Sequence, residues 1–210
     1  MMCNRKAAAT CFILILPALV ADARVVRHYT APLFENPPRI DGRFSSSEWV
    51  RAVGFDGMKS DEVLEERAVR AFVGATETDI YVAVVSELPQ DGALLGKISS
   101  DTPKIMYDDT VEVFLNPAPS AGDNQRFRLI ASVSGASCCL ARSEAGPAER
   151  PDLRARCMIE HGFSRDHWIA EFRIPIGSIA PGRGATEGQW GIDVCRNWKN
   201  PWKSSSIAHP

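Results

Sequence analysis

Short runs of β-forming residues recur along most of the chain, separated by turn residues at intervals of roughly 8 to 12 positions. Helical periodicity is weak throughout. Residues 68–75 and 80–85 are two such runs, and the turn-forming tetrapeptide Thr76-Glu77-Thr78-Asp79 divides them, so they predict a hairpin. Many short strands of this kind favour an all-β fold, an antiparallel β-sandwich of the immunoglobulin or jelly-roll type.

The remaining predicted strands cover residues 110–115, 127–133, 137–142, 154–160, 168–174 and 190–196. Short helical turns are predicted at 46–50, with Ser45 or Ser46 as the N-cap, and at 176–179. We find no internal repeat and no low-complexity run. Residues 24–210 are therefore expected to form a single domain.

The first 23 residues have the pattern of an export signal. Arg5 and Lys6 supply the positive charge, residues 7–20 are mostly apolar, and Ala21-Asp22-Ala23 fits a cleavage site. Pro17 interrupts the apolar core, which is shorter than the roughly 20 residues of a membrane span. We expect a secreted or periplasmic protein with no membrane span after cleavage. An uncleaved anchor is the alternative.

The charge of the chain indicates what it does not bind. The formal net charge is −2, and Lys and Arg do not cluster. Nucleic-acid-binding domains carry a basic patch or stripe, so nucleic acid is not the expected partner.

Four cysteines lie beyond the predicted signal: Cys138, Cys139, Cys157 and Cys195. An even number in an oxidising compartment permits disulfides, and four cysteines allow three pairings. Cys138 and Cys139 are adjacent and would point to opposite sides of a strand, so only one of them can easily face Cys157. No C-x-x-C spacing indicates zinc or a redox dithiol. Structural cysteines are expected, with their pairing open.

The strand predicted at 110–115 carries a carboxylate where most positions are apolar. Alternation puts Glu112 on one face with Thr110 and Phe114. Such a carboxylate is either solvated on an outer face or positioned on a concave face for a ligand. Asp108 and Asp109, just before the strand, are weak calcium candidates, and Asp109 alternatively caps turn amides.

Six motifs follow in a characteristic order: Pro38-Arg39-Ile40-Asp41-Gly42 with Glu48-Trp49, Asp79-Ile80-Tyr81-Val82-Ala83-Val84, Asp109-Thr110-Val111-Glu112-Val113-Phe114-Leu115, Phe127-Arg128, Trp168-Ile169-Ala170-Glu171-Phe172-Arg173-Ile174-Pro175, and Gly188-Gln189-Trp190-Gly191-Ile192-Asp193-Val194. Together they resemble the family 9 carbohydrate-binding modules and their relatives among secreted sugar- and haem-binding sandwiches. The resemblance spans about residue 38 to the C-terminus.

The resemblance implies a sugar-binding β-sandwich that holds its ligand between aromatic rings and is usually attached to a glycoside hydrolase. By motif, Glu112 and Arg128 correspond to two polar binding positions. The first aromatic position falls at Met106, and Tyr107 would serve after a shift of one residue.

The second aromatic position falls at Ile207, which cannot stack on a sugar as an aromatic ring does. Trp198 and Trp202 are candidate substitutes from a predicted loop, and Asn197 beside them is a further candidate for ligand binding. Family members continue with a final strand, so the chain is expected either to lack that strand or to be a fragment.

We therefore predict non-catalytic binding of an oligo- or polysaccharide, in association with glycoside hydrolysis or polysaccharide catabolism. One alternative is electron transfer by haem b, with Met106 and either Lys199 or Lys203 as axial ligands. Another is glycoside hydrolysis, either by a pair such as Glu112 and Glu171 or by a missing portion of the chain. Three tryptophans are expected to be packed rather than ligand-binding: Trp49, Trp168 and Trp190.

The export signal gives a first testable prediction. Expression in a host that secretes proteins should yield a mature chain that begins at Arg24, because the small residues Ala21 and Ala23 define the cleavage site. Mass spectrometry of the intact secreted protein would detect this start. Recovery of the chain with residues 1–23 still attached would support the uncleaved anchor instead.

Overall fold

The computed structural model describes residues 28–60, 63–90, 93–119, 125–142, 150–151 and 156–207. The predicted signal and residues 208–210 lie outside this part. The described strands form two antiparallel sheets, which confirms the predicted β-sandwich. No helix among the described residues has the length and apolar character needed to cross a membrane.

The strands are, in chain order, β1 (Val53–Asp56), β2 (Lys59–Ser60), β3 (Val63–Leu64), β4 (Val69–Ala75), β5 (Asp79–Glu87), β6 (Thr110–Asn116), β7 (Arg126–Ser132), β8 (Ser137–Arg142), β9 (Arg150–Pro151), β10 (Met158–Phe163), β11 (His167–Pro175), β12 (Gly191–Lys199) and β13 (Trp202–Ser206). A five-stranded sheet has the order β1-β4-β5-β11-β10. An eight-stranded sheet has the order β3-β2-β13-β12-β6-β7-β8-β9.

Most predicted strands are confirmed, and the predicted hairpin is the pair β4–β5. Within the described residues, the strand predicted at 154–160 begins at Met158, and residues 154 and 155 lie outside this part. The turn predicted at 176–179 is the short helix α1 (Ile176–Ile179). At the turn predicted at 46–50 the chain forms a hydrogen-bonded turn, in which the amide of Trp49 donates to the carbonyl of Ser45 at 3.2 Å.

The segment predicted as a loop after residue 196 is strand instead. β12 extends to Lys199, and β13 pairs with it through Trp202 and the residues that follow. The prediction failed because polar residues dominate 199–206 and conceal the alternation that pairing with β12 imposes.

The core lies between the sheets and follows the alternation of the strands. Val111, Val113 and Leu115 of β6 point inward and are almost fully buried. Trp168 of β11 lies in the same cluster, as predicted. The even-numbered residues of β6 consequently point to the outer face of the eight-stranded sheet.

The outer face of the five-stranded sheet is covered by the segment before β1, which Glu171 of β11 anchors. The Glu171 carboxylate accepts hydrogen bonds from the amides of Asp41 and Gly42, at 3.1 and 2.9 Å, and from the indole of Trp49 at 3.2 Å. Burial raises the pKa of Glu171, and these hydrogen bonds oppose the rise. Gly42 has a φ of 74°, and a Cβ there would lie 2.5 Å from the carbonyl oxygen of His161. The Asp41-Gly42 and Trp49 motifs therefore serve a structural purpose.

A charged side chain, Arg196 of β12, lies inside the sandwich with no solvent exposure. Its guanidinium packs over the rings of Trp168 and Trp198, 4.9 and 4.7 Å from the centroids. It donates to Asp109 at 3.1 Å and to Ser86 at 3.0 Å. Burial lowers the pKa of Arg196 to about 10, against the effect of Asp109, so it stays charged at neutral pH. Arg196 thus connects the two sheets.

Replacing Arg196 with methionine should destabilise the protein by about 3 to 5 kcal/mol, because the buried Asp109 carboxylate would lose its counter-charge. Arg51→Met is the matched control. Arg51 also makes an ion pair at 3.1 Å, with Glu35, but both side chains are more than half exposed. That pair should contribute at most about 1 kcal/mol. Urea unfolding would measure the free energy of unfolding of both variants. Equally small decreases in the two would contradict the assigned role of Arg196.

Candidate ligand-binding face

The outer face of the eight-stranded sheet collects the polar residues that the sequence singled out. Thr110, Glu112 and Phe114 point outward from β6. The pairing register puts Asn197 of β12 opposite Thr110 and Arg128 of β7 opposite Phe114. The structure therefore brings three predicted site residues together on adjacent strands.

Glu112 is at the centre of this group. One carboxylate oxygen accepts hydrogen bonds from Thr110 at 3.3 Å and from the side-chain amide of Asn197 at 2.9 Å. The other accepts from Nε of Arg128 at 2.7 Å. Glu112 is only 2% exposed. It is on an outer face without being solvated, and its role is to fix the donors around it.

Arg128 and Asn197 are the more accessible members of the group. The Arg128 side chain is 20% exposed, and its guanidinium lies over the Phe114 ring at 5.4 Å from the centroid. The amide nitrogen of Asn197 also donates to Thr110 at 3.1 Å. The ion pair with Glu112 and the contact with the Phe114 ring therefore restrict the side-chain conformation of Arg128. The side-chain amide of Asn197 is held by its two acceptors, Thr110 and Glu112.

Two predicted aromatic residues are exposed near the same end of this face. Tyr107 ends a 3₁₀ helix (Pro103–Tyr107) three residues before Thr110, and it is 68% exposed. Trp202 of β13 pairs with Lys199, two residues beyond Asn197, and is 74% exposed. Both rings thus lie near the end of the sheet that contains Thr110 and Asn197.

The other candidates for the aromatic positions present no exposed ring on this face. Trp198 is fully buried in the core, and its ring has Arg196 on it and Arg67 at 4.6 Å from the centroid, so its proposed contact with a ligand is wrong. Ile207 also packs against the core. Met106 packs against a separate apolar cluster around Ile105. Trp198 was misassigned because the loop expected to expose it is part of β12.

Asp108 and Asp109 are bonded to donors rather than arranged around a cation. Asp108 accepts from the amides of Lys97 and Ile98, at 3.1 and 2.9 Å. Asp109 accepts from the amide of Leu95 at 2.7 Å as well as from Arg196. These bonds attach the preceding loop to the start of β6. Within the described residues, no three His, Cys, Asp or Glu side chains are grouped to hold a metal.

The carboxylate pair considered for hydrolysis is wrong. Glu112 points outward from the eight-stranded sheet, whereas Glu171 points outward from the five-stranded sheet and is fully buried under the N-terminal segment. The core of the sandwich separates them. Of the two lysines in the haem alternative, Lys203 is opposite Trp198 and forms an ion pair with Glu65 at 2.6 Å, and Lys199 is opposite Trp202. Haem binding stays a prediction.

The sequence reading missed three further polar residues on this face. Asp193 accepts a hydrogen bond from Ser206 at 2.8 Å, and the thiol of Cys195 lies 3.5 Å from its other oxygen. Burial, followed by the charges of Asp193 and Glu112, raises the pKa of Cys195, so this thiol stays protonated. The alternation of residues 193, 195 and 197 along β12 was the signal that could have identified this group.

Comparisons with known proteins agree with the architecture. No protein-family model and no curated protein matches the chain. Among solved structures, a candidate carbohydrate-binding protein from Bacteroides uniformis has a TM-score of 0.59 at 10% identity, over 76% of this chain and 78% of its own.

Two structures of a family 9 carbohydrate-binding module from Caldicellulosiruptor kristjanssonii also match. The complex with glucose has a TM-score of 0.57 at 14% identity, and 84% of each chain is covered. The complex with cellotriose has a TM-score of 0.56 at 15% identity, over 84% of this chain and 82% of the other. The resemblance in the sequence motifs is thus matched in three dimensions, and the chain has the β-sandwich fold of the family 9 carbohydrate-binding modules.

Proposed function

We propose that this protein binds carbohydrate, without catalysis, on the outer face of the eight-stranded sheet. The observation that carries the proposal is the buried Glu112, which holds Arg128 and Asn197 in fixed positions. The exposed rings of Tyr107 and Trp202 lie near one end of the same face. Arg128 and Asn197 would hydrogen-bond to sugar hydroxyls, and the two rings would pack against the apolar faces of the sugar.

This combination suits a saccharide for physical reasons. A pyranose ring carries C–H groups on its faces, which pack on aromatic rings, and hydroxyls at its edge, which need donors and acceptors. Glu112 fixes the two donor side chains before any ligand arrives, so binding costs less conformational entropy at Arg128 and Asn197. The glucose and cellotriose bound by the structural neighbours support an oligosaccharide as the ligand class.

The setting of this binding is also part of the proposal. An export signal at residues 1–23 would deliver the protein to the periplasm or the exterior, where polysaccharides are encountered. We propose that it works there beside a glycoside hydrolase in polysaccharide catabolism. The separation of Glu112 from Glu171 argues against hydrolysis by that pair.

Titration calorimetry with cellotriose, preceded by a glycan array to find tighter ligands, tests the proposal. Arg128→Ala and Trp202→Ala should each weaken binding about tenfold or more. A hydrogen bond from a charged donor is worth about 1.5 to 3 kcal/mol, and a factor of ten corresponds to about 1.4 kcal/mol.

Two control variants match these changes on the other sheet. Arg173 forms an ion pair with Asp79 at 3.0 Å, and Phe163 is 56% exposed on β10. Arg173→Ala and Phe163→Ala should leave affinity within about twofold, since neither residue is on the proposed face. Thermal melting would verify that all four variants are folded. Binding to no glycan, or equal losses in the controls, would contradict the proposal.

A further inference from the structure

We propose that Cys139 and Cys157 form a disulfide that joins the two sheets at one edge of the sandwich. The sequence leaves three pairings of four cysteines open. The positions of the strands favour a single disulfide between Cys139 and Cys157, and the inference does not depend on carbohydrate binding.

The first argument is the side of the sheet on which each cysteine lies. Cys139 pairs with Leu129, a residue of the main core, so its side chain points inward. Its neighbour Cys138 pairs with Ile130, which belongs to the apolar cluster around Ile105 on the outer side of the eight-stranded sheet. Cys157 packs against the same main core cluster as Cys139. Two half-buried thiols therefore contact one core from opposite sheets.

The second argument is the level of the two residues along their strands. The turn before β8 lies against β10. Gly135 in this turn is so near to the His161 side chain that a Cβ added to it would lie 2.8 Å from Nε2 of His161. Cys139 comes four residues after Gly135, and Cys157 comes four residues before His161. These offsets bring the cysteines to one level only if β8 and β10 run in opposite directions.

The path of the chain supports opposite directions. Pro151 of β9 pairs with Leu140, the residue after Cys139. In the other sheet, β10 begins at Met158, seven residues after Pro151, and reaches the Gly135 turn at His161, so it runs back along β8. Cys157, just before Met158, is consequently at the level of Cys139.

The remaining two cysteines cannot form a bond with each other. Along the outer face, Cys195 is opposite Glu112, Glu112 is opposite Ile130, and Ile130 is opposite Cys138. Cys195 and Cys138 are therefore three strand spacings apart, roughly 14 Å. A disulfide needs Cα atoms within about 7 Å. Both residues also point away from the inward thiol of Cys139, so we expect them to stay as thiols when the bond between Cys139 and Cys157 forms on oxidation.

Formation of the bond requires an oxidant, and a small disulfide such as oxidised glutathione suffices. One cysteine thiolate attacks a glutathione sulfur, breaks its disulfide and releases the first glutathione thiolate. The second cysteine then attacks the mixed disulfide and releases the second glutathione. One disulfide is formed and one is broken, and the two cysteine protons pass to the two glutathione molecules.

Alkylation and peptide mapping test the pairing directly. The purified protein, equilibrated with oxidised glutathione and alkylated without reduction, should yield a proteolytic fragment in which Cys139 is linked to Cys157. Cys138 and Cys195 should carry the alkyl group. Cys138→Ser is the matched control, since it changes the adjacent residue and should retain the link. Cys139→Ser should abolish the link and leave Cys157 open to alkylation.

Thermal melting gives a second measurement. Reduction should lower the Tm of the wild type and of Cys138→Ser by about 6 to 12 °C, because the crosslink restricts the unfolded chain. It should leave the Tm of Cys139→Ser unchanged. Alkylation of both Cys139 and Cys157 after treatment with the oxidant, or a linked fragment that contains Cys138, would overturn the proposal.

Discussion

The ion pair between Arg196 and Asp109 is the interaction on which the sandwich depends. A charge with no exposure to water is tolerated only when a counter-charge and hydrogen bonds replace its hydration. Asp109 supplies the charge, and Ser86 of the opposite sheet accepts a hydrogen bond. Because Arg196 also packs over Trp168 and Trp198, one guanidinium connects both sheets and fixes the start of β6.

The candidate site depends on where the ion pair between Arg196 and Asp109 lies in the eight-stranded sheet. Asp109, just before β6, points towards the interior, and Glu112 of β6 points towards the outer face. Alternation along β12 likewise directs Arg196 inward and Asn197 outward. The two interior residues pair with each other, and so do the two outer ones. Glu112 therefore acquires its partners from the register that the buried ion pair helps to set.

Glu112 and Glu171 show how one chemical group takes different roles on the two sheets. Both are buried carboxylates that accept three hydrogen bonds. The donors of Glu171 are two backbone amides and the indole of Trp49, so it attaches a covering segment. The donors of Glu112 are three side chains, and those of Arg128 and Asn197 are partly exposed. Its face is therefore available to a ligand.

The sequence was sufficient for features that depend on local pattern. Strand periodicity located β4 to β8 and β11, and the alternation of residues 110–115 correctly separated Glu112 from the core. It was insufficient where long-range pairing decides. The burial of Trp198 depends on the pairing of β12 with β13, and the interior position of Arg196 contradicts the usual exposure of charged residues. The partners of Glu171 lie about 130 residues away along the chain.

The most direct test of the account is an NMR titration of the ¹⁵N-labelled protein with the tightest saccharide from the glycan array. The indole N–H of Trp202 and the side-chain amide of Asn197 should shift as the sugar is added. The indole signals of Trp49 and Trp168, which are buried elsewhere, should remain in place. Shifts confined to the outer face of the five-stranded sheet would contradict the assignment of the ligand-binding face.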